Sequence, residues 1–183
     1  MAPSTPASYP SNWSLSLCSS SDHSSEVALS PDQLLLYLVA IVQGLQIDFL
    51  PLVSQKALDL VGAGATARIR QLPVNINVTV AFKTLRWSPE TEVENLRHLT
   101  NEVMVLGSRF FRNHPNIIHL EGMCWEPGQE GDVHPALVFE KTHLGDLWDF
   151  MMSDRGIALP LKARLDICAS ICRTLQDLHR GRS

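Results

Sequence analysis

Val80-Ala81-Phe82-Lys83 is the stretch that decides how this chain is read. Side chains alternate between the two faces of a strand. Ala81 and Lys83 therefore share one face. Val80 and Phe82 share the other, which the sequence reading turns toward the helix that follows.

Strand-like runs fill the region from Ala57 to Leu85 and are broken at Gly62-Ala63-Gly64 and at Pro73-Val74-Asn75. This pattern predicts three antiparallel strands. Ser88-Pro89-Glu90 offers a cap and a first-turn proline, so a helix is expected to open there. Its apolar positions Leu96, Leu99, Val103, Leu106 and Phe110 repeat at alternating steps of three and four, the period of an amphipathic helix. Ile117 to Trp125 and Val133 to Glu140 read as two further strands, joined by a turn around Pro127 to Gly131. A short helix is expected from Gly145 to Ser153 and a longer one from Leu159 to His179. The sum is an α+β domain: five strands with one helix inserted after the third, then helices.

These runs, in this order, resemble the small lobe and hinge of a eukaryotic-type protein kinase. The resemblance covers about residues 57 to 180. It rests on Gly62-Ala63-Gly64, Val80-Ala81-Phe82-Lys83, Glu102, His114-Pro115-Asn116-Ile117 and Leu137-Val138-Phe139-Glu140. It implies a protein-kinase-like fold with a five-stranded antiparallel small lobe, one inserted helix and part of a helical large lobe. It also implies ATP as the ligand, magnesium as the family's metal, and phosphoryl transfer to protein hydroxyls as the family's reaction. Lys83 would contact the α- and β-phosphates and pair with a glutamate on the inserted helix. Glu102 is the candidate, 19 residues on and flanking the apolar stripe. Without the other motifs it reads first as a solvated helix residue.

The resemblance assigns an adenine pocket as well. Ala81 leaves room for a flat ring, and Val61 and Ile69 cover it. Phe139 stands at the gatekeeper position, and Glu140, Lys141 and Thr142 form the hinge. The backbone groups of Glu140 and Thr142 would meet the adenine edge, and Asp146 would lie near the ribose or simply open a helix. Gly62 and Gly64 would let backbone N–H groups approach phosphates. Two glycines around an alanine also suit a plain hairpin. The family's third loop glycine is Ala67 here, and its common aromatic is Thr66.

The 183 residues contain no His-Arg-Asp and no Asp-Phe-Gly sequence. In the family these supply the aspartate that accepts the hydroxyl proton and ligands for magnesium. The expectation is a chain that stops short of the catalytic loop and is inactive by itself, with no metal ligands of its own. The alternative is a non-catalytic binding or scaffold module. The last helix would then present Leu161, Leu165, Cys168, Cys172 and Leu175 as a site for a protein partner.

The remaining features narrow the class. Residues 1–30 hold 11 serines with Pro3, Pro6 and Pro10, and are expected to be disordered. Ser30-Pro31-Asp32-Gln33 predicts a capping box that opens a helix to about Gln46, giving a helical arm over 31–53 before the kinase-like domain at 57–183. Net charge is −4, which excludes a basic nucleic-acid footprint. The first 55 residues lack Lys and Arg, so neither a secretory signal nor a transit peptide is expected. The apolar run Leu34–Val42 is shorter than the about 20 residues of a membrane span. Cys18, Cys124, Cys168 and Cys172 form no disulfide or metal framework. A cytoplasmic protein is the expectation.

Overall fold

The computed structural model describes residues 29–50, 59–64, 66–73, 79–128, 131–142 and 144–180. Helix α1 spans Pro31–Gly44 and is followed by strands β1 (Asp59–Ala63), β2 (Ala67–Pro73) and β3 (Thr79–Leu85). Helix α2 (Glu92–Leu106) comes next, then β4 (Leu120–Pro127) and β5 (Val133–Glu140). Helices α3 (Leu147–Met152), α4 (Asp154–Ile157) and α5 (Leu161–Arg180) follow. The Ser/Pro-rich stretch expected to be disordered lies outside the described residues as far as Ala28.

The five strands form one antiparallel sheet in the order β1-β2-β3-β5-β4. Cross-strand partners share a face. One row runs Gly62, Ile69, Lys83, Leu137 and Met123; the next runs Gln71, Ala81, Phe139 and Leu120. This face builds the main core with Leu96, Leu99 and Val103 of α2. The opposite face builds a second cluster from Phe82, Cys124, Ala136 and Val138, with Val80, Leu72 and Leu50 against it. Val80 and Phe82 therefore turn away from α2, contrary to the sequence reading. The helix shares the Ala81–Lys83 face because Glu102 and the stripe Leu96, Leu99, Val103 lie on its sheet-facing side.

Helix α2 also begins later than expected. Ser88 opens a turn instead of capping the helix: its carbonyl accepts from the Thr91 N–H at 3.0 Å, its own N–H donates to Thr91 Oγ1 at 3.2 Å, and Thr91 takes the N-cap position. Gly107 closes the helix, so Phe110 falls beyond it and is exposed.

Helix α1 opens as its sequence predicts. The Gln33 N–H donates to Ser30 Oγ at 3.3 Å, and the Ser30 N–H donates to Gln33 Oε1 at 2.9 Å. Its face Leu34, Leu38 and Val42 is buried against α2, each side chain contributing about 2 kcal/mol. After Gly44 the chain turns through Gln46 at φ 55°. It then runs along β4, where Phe49 makes a parallel bridge to Met123.

The face expected to be exposed on α5 is so: Leu161, Leu165, Cys168, Cys172 and Leu175 all reach solvent. Helix α5 is tied to α4 by Arg164, which donates to the Gly156 and Ile157 carbonyls at 3.2 and 2.9 Å, and its Asp177 Oδ2 lies 3.4 Å from His114 Nε2. Among the described residues no helix is long and apolar enough to cross a membrane.

Candidate functional site

Lys83 is held in place by strand geometry. It sits between Ile69 on β2 and Leu137 on β5, and its Nζ leaves the sheet toward α2. Glu102 meets it there: Nζ donates to Oε1 and Oε2, each at 2.8 Å. Both side chains are about three-quarters buried, at 28% and 26% exposure. A pair this covered is less screened than a surface ion pair yet remains reachable by a ligand. The carboxylate fixes the ammonium while leaving it a donor to spare, since an ammonium has three N–H bonds.

Ala81 lies two residues before Lys83 on the same face, directly across from Phe139. Both are buried, at 8% and 6% exposure. Both belong to the core beneath the sheet, and neither lines the cavity beside Lys83. Ile69 packs at the edge of this core. Val61 is exposed on β1, where the pairing with β2 slips between Leu60 and Gly62. The Gly64 N–H donates to the Ala67 carbonyl at 2.8 Å and closes the β1–β2 loop. A Cβ at Gly62 would meet nothing within 4 Å, so the loop holds open space beside its backbone.

Glu140 ends β5. Its side chain accepts from the His119 N–H at 2.9 Å, and its own N–H donates to the His119 carbonyl at 3.2 Å. Both bonds tie the end of β5 to the residue before β4. Thr142 is exposed, and its carbonyl accepts from Lys141 Nζ at 3.3 Å. Asp146 caps α3, accepting from the Asp149 N–H at 2.7 Å, just after Gly145 turns at φ 72°. Of the two roles open to Asp146 in the sequence, helix opening is the one with a bond to it.

A cavity of about 300 Å³ adjoins the ion pair, lined by Thr66, Lys83, Leu85, Asn95, His98 and Glu102. Sequence reasoning missed Asn95 and His98. The signal was there for His98, which lies one helical turn before Glu102. Among the described residues no group of three or more His, Cys, Asp or Glu side chains could hold a metal ion.

A family model described as protein tyrosine and serine/threonine kinase matches residues 56–182. The chain belongs to the protein kinase family. Wall-associated receptor kinase-like 14 of Arabidopsis thaliana is 31% identical to this kinase domain over 118 residues, 64% of the chain and 15% of the relative. Wall-associated receptor kinase-like 21 of the same plant is 27% identical over 122 residues, 66% of the chain and 18% of the relative. The chain thus spans less than a fifth of the length of these curated relatives.

Two solved structures show the same fold. An apo pseudokinase matches with a TM-score of 0.51 at 19% identity, covering 72% of this chain and 49% of that one. Drought responsive inactive kinase 1, bound to ENMD-2076, matches with a TM-score of 0.50 at 21% identity, covering 67% of this chain and 45% of that one. In this kinase domain β1–β5 and α2 make the small lobe, and α3–α5 belong to the helical lobe.

Proposed function

We propose that this kinase domain binds ATP between its sheet and hinge, with Lys83 on the phosphates and Ala81 and Phe139 bounding the adenine. The observation that carries this reading is the bidentate 2.8 Å contact of Lys83 with Glu102 beside a cavity of about 300 Å³. A lysine fixed by a carboxylate is preorganised for a phosphate and loses little freedom when the ligand arrives. Val61, Ile69, Gly62 and Gly64 cover the nucleotide from above. The backbone of Glu140 and Thr142 supplies the polar edge, and Asp146 stands near the ribose.

Transfer is a separate matter from binding. It needs a residue to orient the hydroxyl and ligands for magnesium. These 183 residues contain no His-Arg-Asp and no Asp-Phe-Gly sequence. A polypeptide of this sequence alone is therefore expected to bind ATP without transferring phosphate. A second reading, a kinase-like scaffold that binds no nucleotide, is favoured by Ala67 in place of a loop glycine.

Calorimetric titration of the purified chain with ATP and with adenosine separates the two. Saturable ATP binding, weakened by Lys83→Met while adenosine binding is unchanged, supports the nucleotide site. A folded chain that binds neither ligand contradicts it and leaves the scaffold reading.

A further inference from the structure

The helix that carries Glu102 lies between the sheet and α1. On the side away from the sheet, α2 packs along α1. Leu34, Leu38 and Val42 of α1, with Ile47 just beyond it, share one buried core with Leu96, Leu99 and Val103 of α2. Leu38, Val42 and Val103 are fully buried, and Val103 adjoins Glu102 in the chain.

The segment over residues 45–50 then straps this arrangement to the rest of the lobe. Arg112 Nη2 donates to the Gln46 carbonyl at 2.8 Å. The Leu50 N–H donates to the Met123 carbonyl at 2.8 Å, and the Met123 N–H donates to the Asp48 carbonyl at 2.9 Å. Two glycines leave room for the strap. A Cβ at Gly122 on β4 would lie 2.7 Å from the Asp48 carbonyl oxygen. A Cβ at Gly107, the residue closing α2, would lie 2.7 Å from Ile47 Cδ1. The body of the lobe therefore fits the strap at both the end of α2 and the edge of β4.

We propose that α1 and its strap position α2 so that Glu102 reaches Lys83, with Leu38, Val42 and Ile47 as positioning residues for the nucleotide site. Loss of α1 docking frees α2, opens the ion pair and weakens phosphate binding. The effect on phosphate binding rests on the ATP reading above. The effect on the ion pair does not.

The test uses the full chain and reads both. Acylation of Lys83 by an amine-reactive ester, measured by mass spectrometry without nucleotide, reports the ion pair, with exposed Lys162 as the internal reference. Docking is disrupted by the double variant Leu38→Asp, Val42→Asp, while Leu36→Asp on the exposed face of α1 is the control. The expected result is a rise of about tenfold in Lys83 labelling relative to Lys162, matching Glu102→Gln, and a similar fall in ATP affinity. A peptide of residues 29–50 added to the double variant is expected to reverse both. Buried Cys124 reports global unfolding in the same sample: a rise in Lys83 labelling without a rise in Cys124 alkylation is local, and a rise that only tracks Cys124 overturns the proposal. A folded double variant that keeps Lys83 protected overturns the proposal. If that variant does not fold, Gly122→Ala, which displaces the strap and keeps the apolar face of α1, decides by the same ratio. A wild-type chain that binds no ATP sinks the nucleotide reading alone, because the labelling still decides the role of α1.

Discussion

Lys83 Nζ lies 2.8 Å from each carboxylate oxygen of Glu102, on the face of the sheet that also carries Ala81. The pair joins β3 to α2, so the position of the helix and the readiness of the lysine are one variable. A nucleotide that uses Lys83 is expected to stabilise α2 as well.

The first prediction concerns the adenine space. Ala81 and Phe139 are opposite one another and both are buried. Ala81→Leu adds atoms to a filled position, which costs about 1–3 kcal/mol. It also occupies the room assigned to the ring. ATP and adenosine affinity are expected to fall together, by at least about tenfold, while Lys83→Met lowers ATP affinity alone. Titration of both ligands against each variant checks the split.

A second prediction follows from the far face of the sheet. Arg70 and Glu126 form a largely buried ion pair, at 13% and 10% side-chain exposure. Burial pushes the Glu126 carboxyl up from its ordinary value, and Arg70 draws it partly back. A raised carboxyl contributes stability below its unfolded pKa and loses it as pH rises through its folded pKa. Arg70→Leu removes the restoring charge, so the loss at neutral pH grows. The variant is expected to be about 2–3 kcal/mol less stable than wild type at pH 7. The gap narrows as pH falls toward 4 and Glu126 takes up a proton. Urea unfolding at several pH values measures it.

Thiol chemistry gives a third. Burial, reinforced by Glu126, pushes the Cys124 thiol up to about 12. Cys168 and Cys172 are exposed on α5. Iodoacetamide at pH 8 is expected to label Cys168 and Cys172 rapidly and Cys124 only on unfolding, because the thiolate is the reactive form. Labelling of Cys124 in the folded chain would show that the second core cluster is open to solvent.

Much of this arrangement was legible in the sequence, for reasons that differ by residue. Strand alternation put Ala81 and Lys83 on one face, and the helical stripe beside Glu102 put the carboxylate within reach. The side on which α2 lies was not legible. Phe82 packs with Cys124, Ala136 and Val138 in a second core, so both faces of β3 are apolar and alternation alone does not tell which one the helix covers.

The start of α2 is ambiguous in the sequence because Ser88 and Thr91 are both capping residue types three apart; Thr91 takes the N-cap position, with its hydroxyl bonded to Ser88 rather than to the first turn of the helix. The docking of α1 was hidden for another reason. Its apolar face is plain in the sequence, but its partner is not. The segment that follows α1 fits against Gly107 and Gly122, and a glycine does not announce what approaches it.

The central claim is that Lys83 and Glu102 act together on a bound nucleotide, and a double-mutant cycle on ATP affinity tests it most directly. The measurement compares wild type with Lys83→Met, Glu102→Gln and the two combined. The account predicts that each single change lowers affinity about tenfold and that the double variant is no worse than the weaker single, a coupling of about 1 kcal/mol or more. Losses that simply multiply, or a folded wild-type chain that binds no ATP, would contradict it.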